Sequence, residues 1–229
     1  MKKQIQRWLQ NKIGIGENRD QIMILEKKIA SLSLLQEWSM DKIIPIPAGL
    51  LEATKAALPE KYKSVNCNIH CSDPMFRYPL QVHGSQSLKV LKEYFLTGLE
   101  AAEFIYKQNP KAQRILDFGG GYGRVSRFLD IFFPNAQILI NDPKKSAIKF
   151  QIENFGYALD DHNPVDIIFA GSVFTHLPKT LFERTLHQLM DTIDKGNTLI
   201  LTLHQFIQEE FLFYPHTEES AMQELEDSL

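Results

Sequence analysis

The sequence predicts an α/β protein with a doubly wound, mostly parallel sheet, preceded by a helical or irregular N-terminal extension. Three observations predict this class. Apolar strand-like runs alternate with amphipathic helical runs from residue 114 to residue 203, and a glycine-rich turn follows the first run. Hydrophobic residues form 44% and charged residues 23% of the 229-residue chain, which excludes a disordered or collagen-like protein. Alternating strands and helices are typical of a parallel sheet with helices on both faces.

A heptad pattern marks the N-terminal region. Ile15, Ile22 and Ile29 repeat every seven positions, with Leu25 and Leu32 between them. The pattern lasts about two heptads, which is too short to indicate a coiled coil. The preferred interpretation is a helix that packs on its own chain, and a short dimerisation helix is the alternative.

Prolines mark the segment that follows. Residues 45–84 contain the prolines Pro45, Pro47, Pro59, Pro74 and Pro79. This density predicts a cap with little regular structure. The predicted organisation is an N-terminal helix and proline-rich cap over residues 1–84, a core over residues 85–204, and an acidic C-terminal tail or helix over residues 205–229.

The core is expected to begin with a helix over residues 85–107. Gly98 lies on the apolar face of this helix, where glycine costs about 1 kcal/mol relative to alanine, so we expect another element to pack closely there. Lys195 and Gly196 are expected to cap the last helix. The other elements are predicted as strand 114–118, helix 124–133, strand 136–140, helix 145–155, a weak strand 157–159, a fully buried strand 166–170, helix 181–194 and strand 198–203.

The turn after the first strand has four glycines within residues 119–123. In open α/β sheets, ligands bind outside the carboxyl ends of the strands, and the first such turn is the usual cradle. A dinucleotide motif G-x-G-x-x-G does not fit, because its third glycine would fall on Arg124 or Ser126. A G-x-G-x-G turn does fit, at Gly119, Gly121 and Gly123.

Two acidic residues accompany this turn. Asp117 precedes it by two positions, and its carboxylate would repel a pyrophosphate but suit a ligand with a cationic amino or sulfonium end. Asp142 ends the second predicted strand, 19 residues after Gly123, where a carboxylate can accept both hydroxyls of a ribose. The alternative is that Asp117 and Asp142 only cap turns and helices.

The run from residue 114 to residue 203 resembles the core of a class I S-adenosylmethionine-dependent methyltransferase, which has a Rossmann-like sheet. "ILDFGGGYGR" is similar to the first motif of that family and "ILINDPKKSAIKF" to the second. "VDIIFAGSVFTHLP" resembles its fourth strand and loop, and "DKGNTLILTLH" its fifth strand. With "YFLTGLEAA" before the first motif, the chain is most similar to the methyltransferases of glycan and cell-surface biosynthesis. The resemblance covers about 120 residues, from Ser85 to His204.

The resemblance implies S-adenosylmethionine as the cofactor and a set of residues that bind it. Asp117 would orient the methionyl amino group and Asp142 would hold the ribose hydroxyls. Asp160 or Asp161 would reach the adenine amine. The implied cofactor-binding residues are Asp117, Phe118, Gly119, Gly120, Gly121, Asp142, Pro143 (against the adenine) and Ser172 (with Val173, where the methyl group meets its acceptor).

The sequence departs from the family at two places. Nine residues lie between Gly156 and Asp166, so the third strand and its adenine-contacting loop are compressed. Only 25 residues follow His204, so the final pair of strands is expected to be lacking. An open sheet edge invites pairing with another chain, and a homodimer through this edge or through the N-terminal helix is expected.

The implied activity is methyl transfer to a small-molecule or saccharide-type acceptor, at oxygen. His176 follows the fourth strand and is the candidate general base for a hydroxyl acceptor; the alternative is a loop histidine that bonds a neighbour. A non-catalytic methyltransferase-like binding module is the second hypothesis. A nucleotide-dependent oxidoreductase is weaker, because Asp117 and the glycine frame disfavour it.

Composition excludes several partners. The formal net charge of −3 gives no basic field for nucleic acid or an anionic membrane, and no window approaches about 18 apolar residues, the length of a membrane span. Cys67 and Cys71 are expected to be free thiols, and with His70 they lack the paired spacing of a zinc site, so no metal is expected. Without a signal peptide pattern at the N-terminus, a cytoplasmic location is expected.

Overall fold

The structure is a computed structural model that describes residues 23–27, 29 and 43–203. Most of the predicted N-terminal heptad pattern and the predicted tail over residues 205–229 lie outside these residues. By its internal contacts the chain divides into two units, Met1–Ala57 with Ile69–Tyr94 and Leu58–Asn68 with Phe95–Leu229. The predicted division at residues 84 and 204 stays a prediction.

The proline-rich segment is more regular than predicted. It contains helix α1, Ala48–Ala56, a 3₁₀ helix at Glu60–Tyr62, and helix α2, Pro74–His83. The expectation of little regular structure was wrong, because three of the prolines stand at helix starts. Pro47 and Pro59 directly precede helices and Pro74 is the first residue of α2, where the missing N–H is not needed.

Asp73 organises the start of α2. One of its carboxylate oxygens, Oδ1, accepts a hydrogen bond from the backbone N–H of Met75 at 2.9 Å, which caps the helix. Its other oxygen accepts a bond from the hydroxyl of Tyr94 at 2.6 Å. Both side chains are almost fully buried, so this pair satisfies two polar groups inside the first unit.

Within the part of the second unit that the structure describes, the chain forms a parallel sheet of five strands in the order β3-β2-β1-β4-β5. The strands are β1 at Arg114–Phe118, β2 at Gln137–Asn141, β3 at Ala158–Leu159, β4 at Val165–Gly171 and β5 at Ile193–Thr202. The helices are α3 at Leu88–Gln108, α4 at Ser126–Phe132, α5 at Lys145–Phe155 and α6 at Lys179–Asp191. The boundary between the two units falls within α3. The chain places β2 and β3 on one side of β1 and then continues with β4 and β5 on the other side. The doubly wound parallel fold is therefore confirmed.

Helix α6 and strand β5 meet differently from the prediction. The helix ends at Asp191 and β5 begins at Ile193, so Lys195 and Gly196 lie in the strand and the expectation that they cap the helix was wrong. Ile193 pairs with Val165, but Thr198 pairs with Ile167. The extra residues of β5 are accommodated by an irregularity in the strand pairing. Gly196 lies there with a φ of 103°, a backbone conformation that glycine adopts without steric strain.

The core lies against the central strands. Residues 167–170 of β4 are buried as predicted, whereas Asp166, the first residue of the predicted strand, is only partly buried. One apolar cluster joins the strands to α6 through Leu116, Leu139, Val165, Ile168, Ala170, Phe174 and Leu189. A smaller cluster joins α5 to the glycine-rich turn through Tyr122, Ala147 and Phe150.

Gly98 of α3 confirms the expected close packing. A Cβ atom at Gly98 would lie 2.1 Å from the carbonyl oxygen of Arg124, so only glycine lets the helix approach the end of the turn. Within residues 43–203 and the short described stretch before them, no helix is long and apolar enough to cross a membrane. The same residues contain no group of three or more His, Cys, Asp or Glu side chains suited to a metal ion.

Candidate functional site

Asp117 lies in the central strand β1, one residue before the strand ends, and its side chain is only 2% exposed. The pKa of this carboxyl is raised from 3.8 to about 6, chiefly by burial and also by the nearby Asp142 carboxylate. The Ser126 hydroxyl and the Arg124 guanidinium oppose that rise in pKa. The site therefore contains an acid that changes charge near neutral pH.

The glycine-rich turn adopts the backbone that its sequence predicts. Gly119, Gly121 and Gly123 have φ values of 68°, 55° and 75°, a region that L side chains rarely occupy. A Cβ at Gly119 would lie 2.3 Å from the Val173 side chain, and a Cβ at Gly120 would lie 2.5 Å from Asp117 Oδ2. A Cβ at Gly121 would meet nothing within 4 Å, so open space adjoins the turn at that residue.

Asp142 joins the end of β2 to this turn. Its Oδ2 accepts a hydrogen bond from the Gly121 N–H at 2.8 Å, and its Oδ1 accepts one from the Lys144 N–H at 2.8 Å. The alternative that Asp142 caps a turn is thus realised at Lys144. It does not exclude ligand binding, because an ionised carboxylate offers about four acceptor positions.

Two further polar side chains, which the sequence did not reveal, complete the inner side of the turn. The hydroxyl of Ser126 lies 2.5 Å from Asp117 Oδ2 and 2.9 Å from Gln151 Oε1. Gln151 also donates a hydrogen bond through Nε2 to the Gly121 carbonyl at 2.8 Å. Gln151 lies four residues after the buried Ala147 on α5, and this polar residue on an apolar helix face was the signal that could have identified it.

Arg127 on α4 is a third residue that the sequence did not reveal. It is 3% exposed, and its guanidinium donates hydrogen bonds to carbonyl oxygens on two segments of the second unit. In the turn it reaches Gly123 at 2.8 Å and Tyr122 at 3.3 Å, and before the core it reaches Asn66 and Asn68 at 3.0 Å each. One buried cation therefore fixes the last part of the turn against residues 66–68.

The end of β4 lies beside the same turn. Ser172 has a φ of 63°, which is unusual for a residue other than glycine, and its N–H donates to Thr202 Oγ1 at 2.7 Å. The backbone of His176 lies in a 3₁₀ helix at Phe174–His176; its side chain is outside the described part, and its catalytic role stays a prediction. Phe118 packs against the apolar core, and its cofactor role also stays a prediction.

An open cleft of about 480 Å³ lies at the ends of β2 and β3. Asp142 and Pro143 line it together with the apolar side chains of Ile148, Ile152 and Leu159. Charged side chains, Lys145, Lys149 and Glu153, also line it. A cleft of this size with apolar walls and a carboxylate at its edge fits the base and ribose of a nucleoside.

The structure separates the two acidic candidates for the adenine contact. Asp160 lines the cleft, and its carboxylate accepts a hydrogen bond from the Asn141 side chain at 3.4 Å. Asp161 instead pairs with Arg114, the first residue of β1, at 2.7 Å. Hydrogen bonds from Asn163 and Arg114 lower the pKa of Asp161 to about 2. Asp160 is the residue of the two that faces the cleft.

Comparison with known proteins finds likeness at the level of solved structures. No family model and no curated protein matches the chain. CalS10, an amino pentose methyltransferase from Micromonospora echinaspora solved with SAM, is 16% identical with a TM-score of 0.44 over 52% of this chain and 54% of that one. The plantazolicin methyltransferase BpumL, solved with SAH, is 16% identical with a TM-score of 0.41 over 80% of this chain and 61% of that one.

An O-methyltransferase from a trans-AT PKS multienzyme of Brevibacillus brevis, solved with S-adenosyl-L-homocysteine, is 16% identical with a TM-score of 0.38. That match covers 46% of this chain and 40% of the other. The chain thus spans between two fifths and three fifths of the length of these three proteins.

Proposed function

We propose that this chain is a class I S-adenosylmethionine-dependent methyltransferase that acts on a small-molecule or saccharide-type acceptor, at oxygen. One observation carries the proposal: a glycine turn with Asp117 buried behind it is held at Gly121 by Asp142, the carboxylate at the end of the neighbouring strand. This places two acidic groups on either side of one turn at the point where α/β sheets bind nucleotides.

The donor set at the turn fits S-adenosylmethionine better than a dinucleotide. Gly121 leaves open space where a Cβ would project, so a ligand can approach the backbone there. Two carboxylates that face one turn disfavour a pyrophosphate and favour a cationic amino or sulfonium group. The cleft beside Asp142 and Pro143 supplies apolar walls for a base.

The residues of the chain have distinct roles in this proposal. Asp142 would hold ribose hydroxyls, since an ionised carboxylate offers about four acceptor positions, and Asp117 would face the amino end. S-adenosylmethionine supplies a methyl group that its sulfonium already activates. The protein therefore contributes mainly proximity and orientation, and His176 would accept a proton from a hydroxyl acceptor.

The net charge of the chain bears on the proposed class of acceptor. A net charge of −3 gives the chain no overall basic field to attract nucleic acid, which supports a small or saccharide-type acceptor. A cytoplasmic location, and a homodimer through the N-terminal helix or the sheet edge, are parts of the proposal that rest on the sequence alone.

Calorimetric titration with S-adenosylmethionine, S-adenosylhomocysteine, NAD and NADP tests the cofactor. We expect saturable binding of both sulfur nucleosides and none of the dinucleotides. Binding of NAD with no heat from either sulfur nucleoside would reverse the assignment to an oxidoreductase. Release of S-adenosylhomocysteine in the presence of simple sugars and phenols then measures transfer to oxygen.

The second candidate function is a non-catalytic binding module. Among the described residues, β5 pairs with β4 on one side only, and an open edge is a surface for strand addition. This hypothesis predicts a protein complex whose affinity does not change when S-adenosylhomocysteine is added. A complex that S-adenosylhomocysteine strengthens, or turnover with any acceptor, favours the enzyme.

A further inference from the structure

The hydroxyl of Ser126 lies between two oxygen atoms. Its Oγ is 2.5 Å from Asp117 Oδ2 and 2.9 Å from Gln151 Oε1, and all three side chains are almost fully buried. A serine hydroxyl has one proton and can donate to only one acceptor at a time. The two short contacts therefore need a second proton from one of the partners.

The orientation of Gln151 decides which partner supplies that proton. Its Nε2 donates to the carbonyl oxygen of Gly121 at 2.8 Å, and a carbonyl oxygen can only accept. The reversed amide would place Oε1 against this carbonyl and leave two buried acceptors facing each other. Gln151 Oε1 therefore faces Ser126 as an acceptor, and it takes the hydroxyl proton.

Asp117 is then the remaining source of the second proton. If Asp117 is protonated, Oδ2–H donates to Ser126 Oγ, Ser126 donates to Gln151, and Gln151 donates to the Gly121 carbonyl. Each donor in this chain has one acceptor. If Asp117 is ionised, the Ser126 hydroxyl turns to the carboxylate and Gln151 Oε1 loses its donor, which costs free energy in a buried site.

The surroundings of Asp117 agree with a bound proton. The pKa of Asp117 is raised to about 6, with burial as the largest cause and the Asp142 carboxylate at the end of β2 as a second. The Ser126 hydroxyl, the Arg124 guanidinium in the turn and the backbone N–H of Ser126 oppose this rise in pKa. The Tyr157 hydroxyl beside β3 donates instead to the Ser126 carbonyl at 2.8 Å.

The neighbouring cation does not neutralise Asp117 by direct contact. Arg127 on α4 directs its guanidinium to the carbonyl oxygens of Gly123 and Tyr122 in the turn. Among the described residues of the second unit, no basic nitrogen forms an ion pair with the Asp117 carboxylate at 4.0 Å or less. A protonated acid leaves no buried charge to compensate.

We propose that Asp117 is a protonated acid in the ligand-free chain at mildly acidic pH, and that Ser126 and Gln151 are positioning residues that extend its hydrogen bond to Gly121. A cationic amino group bound in the turn favours the ionised carboxylate. Binding of such a ligand therefore releases the Asp117 proton to solvent and frees Gln151 from Ser126. This consequence for the ligand rests on the proposed function, whereas the proton on Asp117 in the ligand-free chain does not.

Carboxyl ¹³C NMR of the ligand-free chain, with ¹³C in aspartate side chains and backbone carbonyls, tests the proposal directly. The Asp117 signal is assigned by its loss in Asp117→Asn. We expect its titration midpoint to lie well above the ordinary value of about 3.9, and the Gly121 carbonyl signal to titrate with the same midpoint. A midpoint below about 4.5 would overturn the proposal.

Two serine variants separate the hydrogen-bond chain from a general effect on the unit. In Ser126→Ala, the Asp117 carboxyl signal should still titrate, but the Gly121 carbonyl signal should no longer titrate with the same midpoint. Ser146→Ala is the matched control, because it removes a hydroxyl that contacts Tyr122 at 2.9 Å and lies outside the chain. A Gly121 signal that follows Asp117 equally in both variants would exclude Ser126 as the link. If Ser126→Ala does not fold, the wild-type midpoint still decides whether Asp117 is protonated.

The release of a proton is measured by titration with S-adenosylhomocysteine in two buffers of different ionisation enthalpy. Most of one proton should be released per ligand at pH 5.5 and almost none at pH 7.5. Binding at pH 5.5 without proton release would contradict the coupling. Absence of binding at both pH values would contradict the proposed function. The carboxyl titration would still decide whether Asp117 is protonated.

Discussion

The carboxylate of Asp142 accepts a 2.8 Å hydrogen bond from the backbone N–H of Gly121. This bond joins the end of β2 to the turn after β1, so it holds the carboxyl ends of two neighbouring strands together. Gly121 is also held on its other side, because its carbonyl accepts from Gln151 at 2.8 Å. A residue with a φ of 55° is thus fixed through both of its peptide groups, beside open space where a ligand can approach.

Replacing Asp142 with alanine should weaken binding of S-adenosylhomocysteine by about tenfold or more, which is about 1.4 kcal/mol. The variant loses the acceptor for ribose hydroxyls and the bond that holds Gly121. Calorimetry measures the dissociation constant. Asp161→Asn is the matched control, since Asp161 pairs with Arg114 away from the cleft and should bind as the wild type does. An unchanged affinity in Asp142→Ala would remove Asp142 from the ribose role.

Gly121→Ala should weaken the binding of S-adenosylhomocysteine, and its control variant should not lose a comparable part of the affinity. Gly156→Ala is the matched variant, because Gly156 ends α5 with a φ of 75° and, like Gly121, has nothing within 4 Å of an added Cβ. Both changes carry the same backbone strain, about 1 kcal/mol, so thermal unfolding should shift similarly. Only Gly121→Ala places a methyl group at the proposed ligand surface. Equal affinities of the two variants would show that no ligand lies against Gly121.

Asp117→Asn should alter how stability depends on pH. The folded-state pKa of Asp117 is raised from 3.8 to about 6, so the folded chain holds this proton more tightly than the unfolded chain. Its stabilising contribution is complete below about pH 4 and is lost as pH rises through 6. Relative to the wild type, the asparagine variant should gain about 1–3 kcal/mol between pH 4.5 and 8.

Urea denaturation at a series of pH values measures this difference. Asparagine has no titrating group but retains a side-chain donor for Ser126, so its fold should be preserved. A constant difference in unfolding free energy between the two proteins over the whole range would contradict the raised pKa of Asp117.

Arg127→Met should destabilise the second unit by about 2–4 kcal/mol, because carbonyl oxygens of four residues lose a buried charged donor. Arg127→Lys should recover only part of this loss, since an ammonium cannot reproduce the planar fork of donors. Lys149→Met is the control: its ion pair with Glu153 is 3.9 Å long and exposed, so its loss should cost less than about 0.5 kcal/mol. Denaturant titration that gives equal losses for Arg127→Met and Lys149→Met would exclude this role of Arg127.

Much of the fold was predictable because local signals and tertiary packing agree. The bounds of β1 and α5 match the predicted ranges. The run of Asp117, the glycine turn and Asp142 predicted the candidate site, and the cofactor role of these residues stays a prediction. These features depend on short-range rules: glycine at positive φ, apolar runs in buried strands, and ligand sites at the carboxyl ends of strands.

The rest depended on contacts that a sequence does not display. Ser126, Arg127 and Gln151 are ordinary surface residue types, and only the folded chain shows that they are buried around the turn. The prolines of residues 45–84 suggested interruption, although Pro74 begins a helix. The junction of α6 and β5 was missed because strand pairing across an irregularity at Gly196 overrides the local helix-cap signal.

The most direct measurement of the central claim is an amide ¹H–¹⁵N NMR titration of the wild-type chain with S-adenosylhomocysteine. The account predicts that the largest saturable shifts fall on the amides of Gly119, Gly120, Gly121 and Asp142, with smaller shifts at Leu159 and Asp160 along the cleft. Saturable shifts confined to other parts of the chain, or none at millimolar ligand, would contradict the assignment of this turn as the cofactor site.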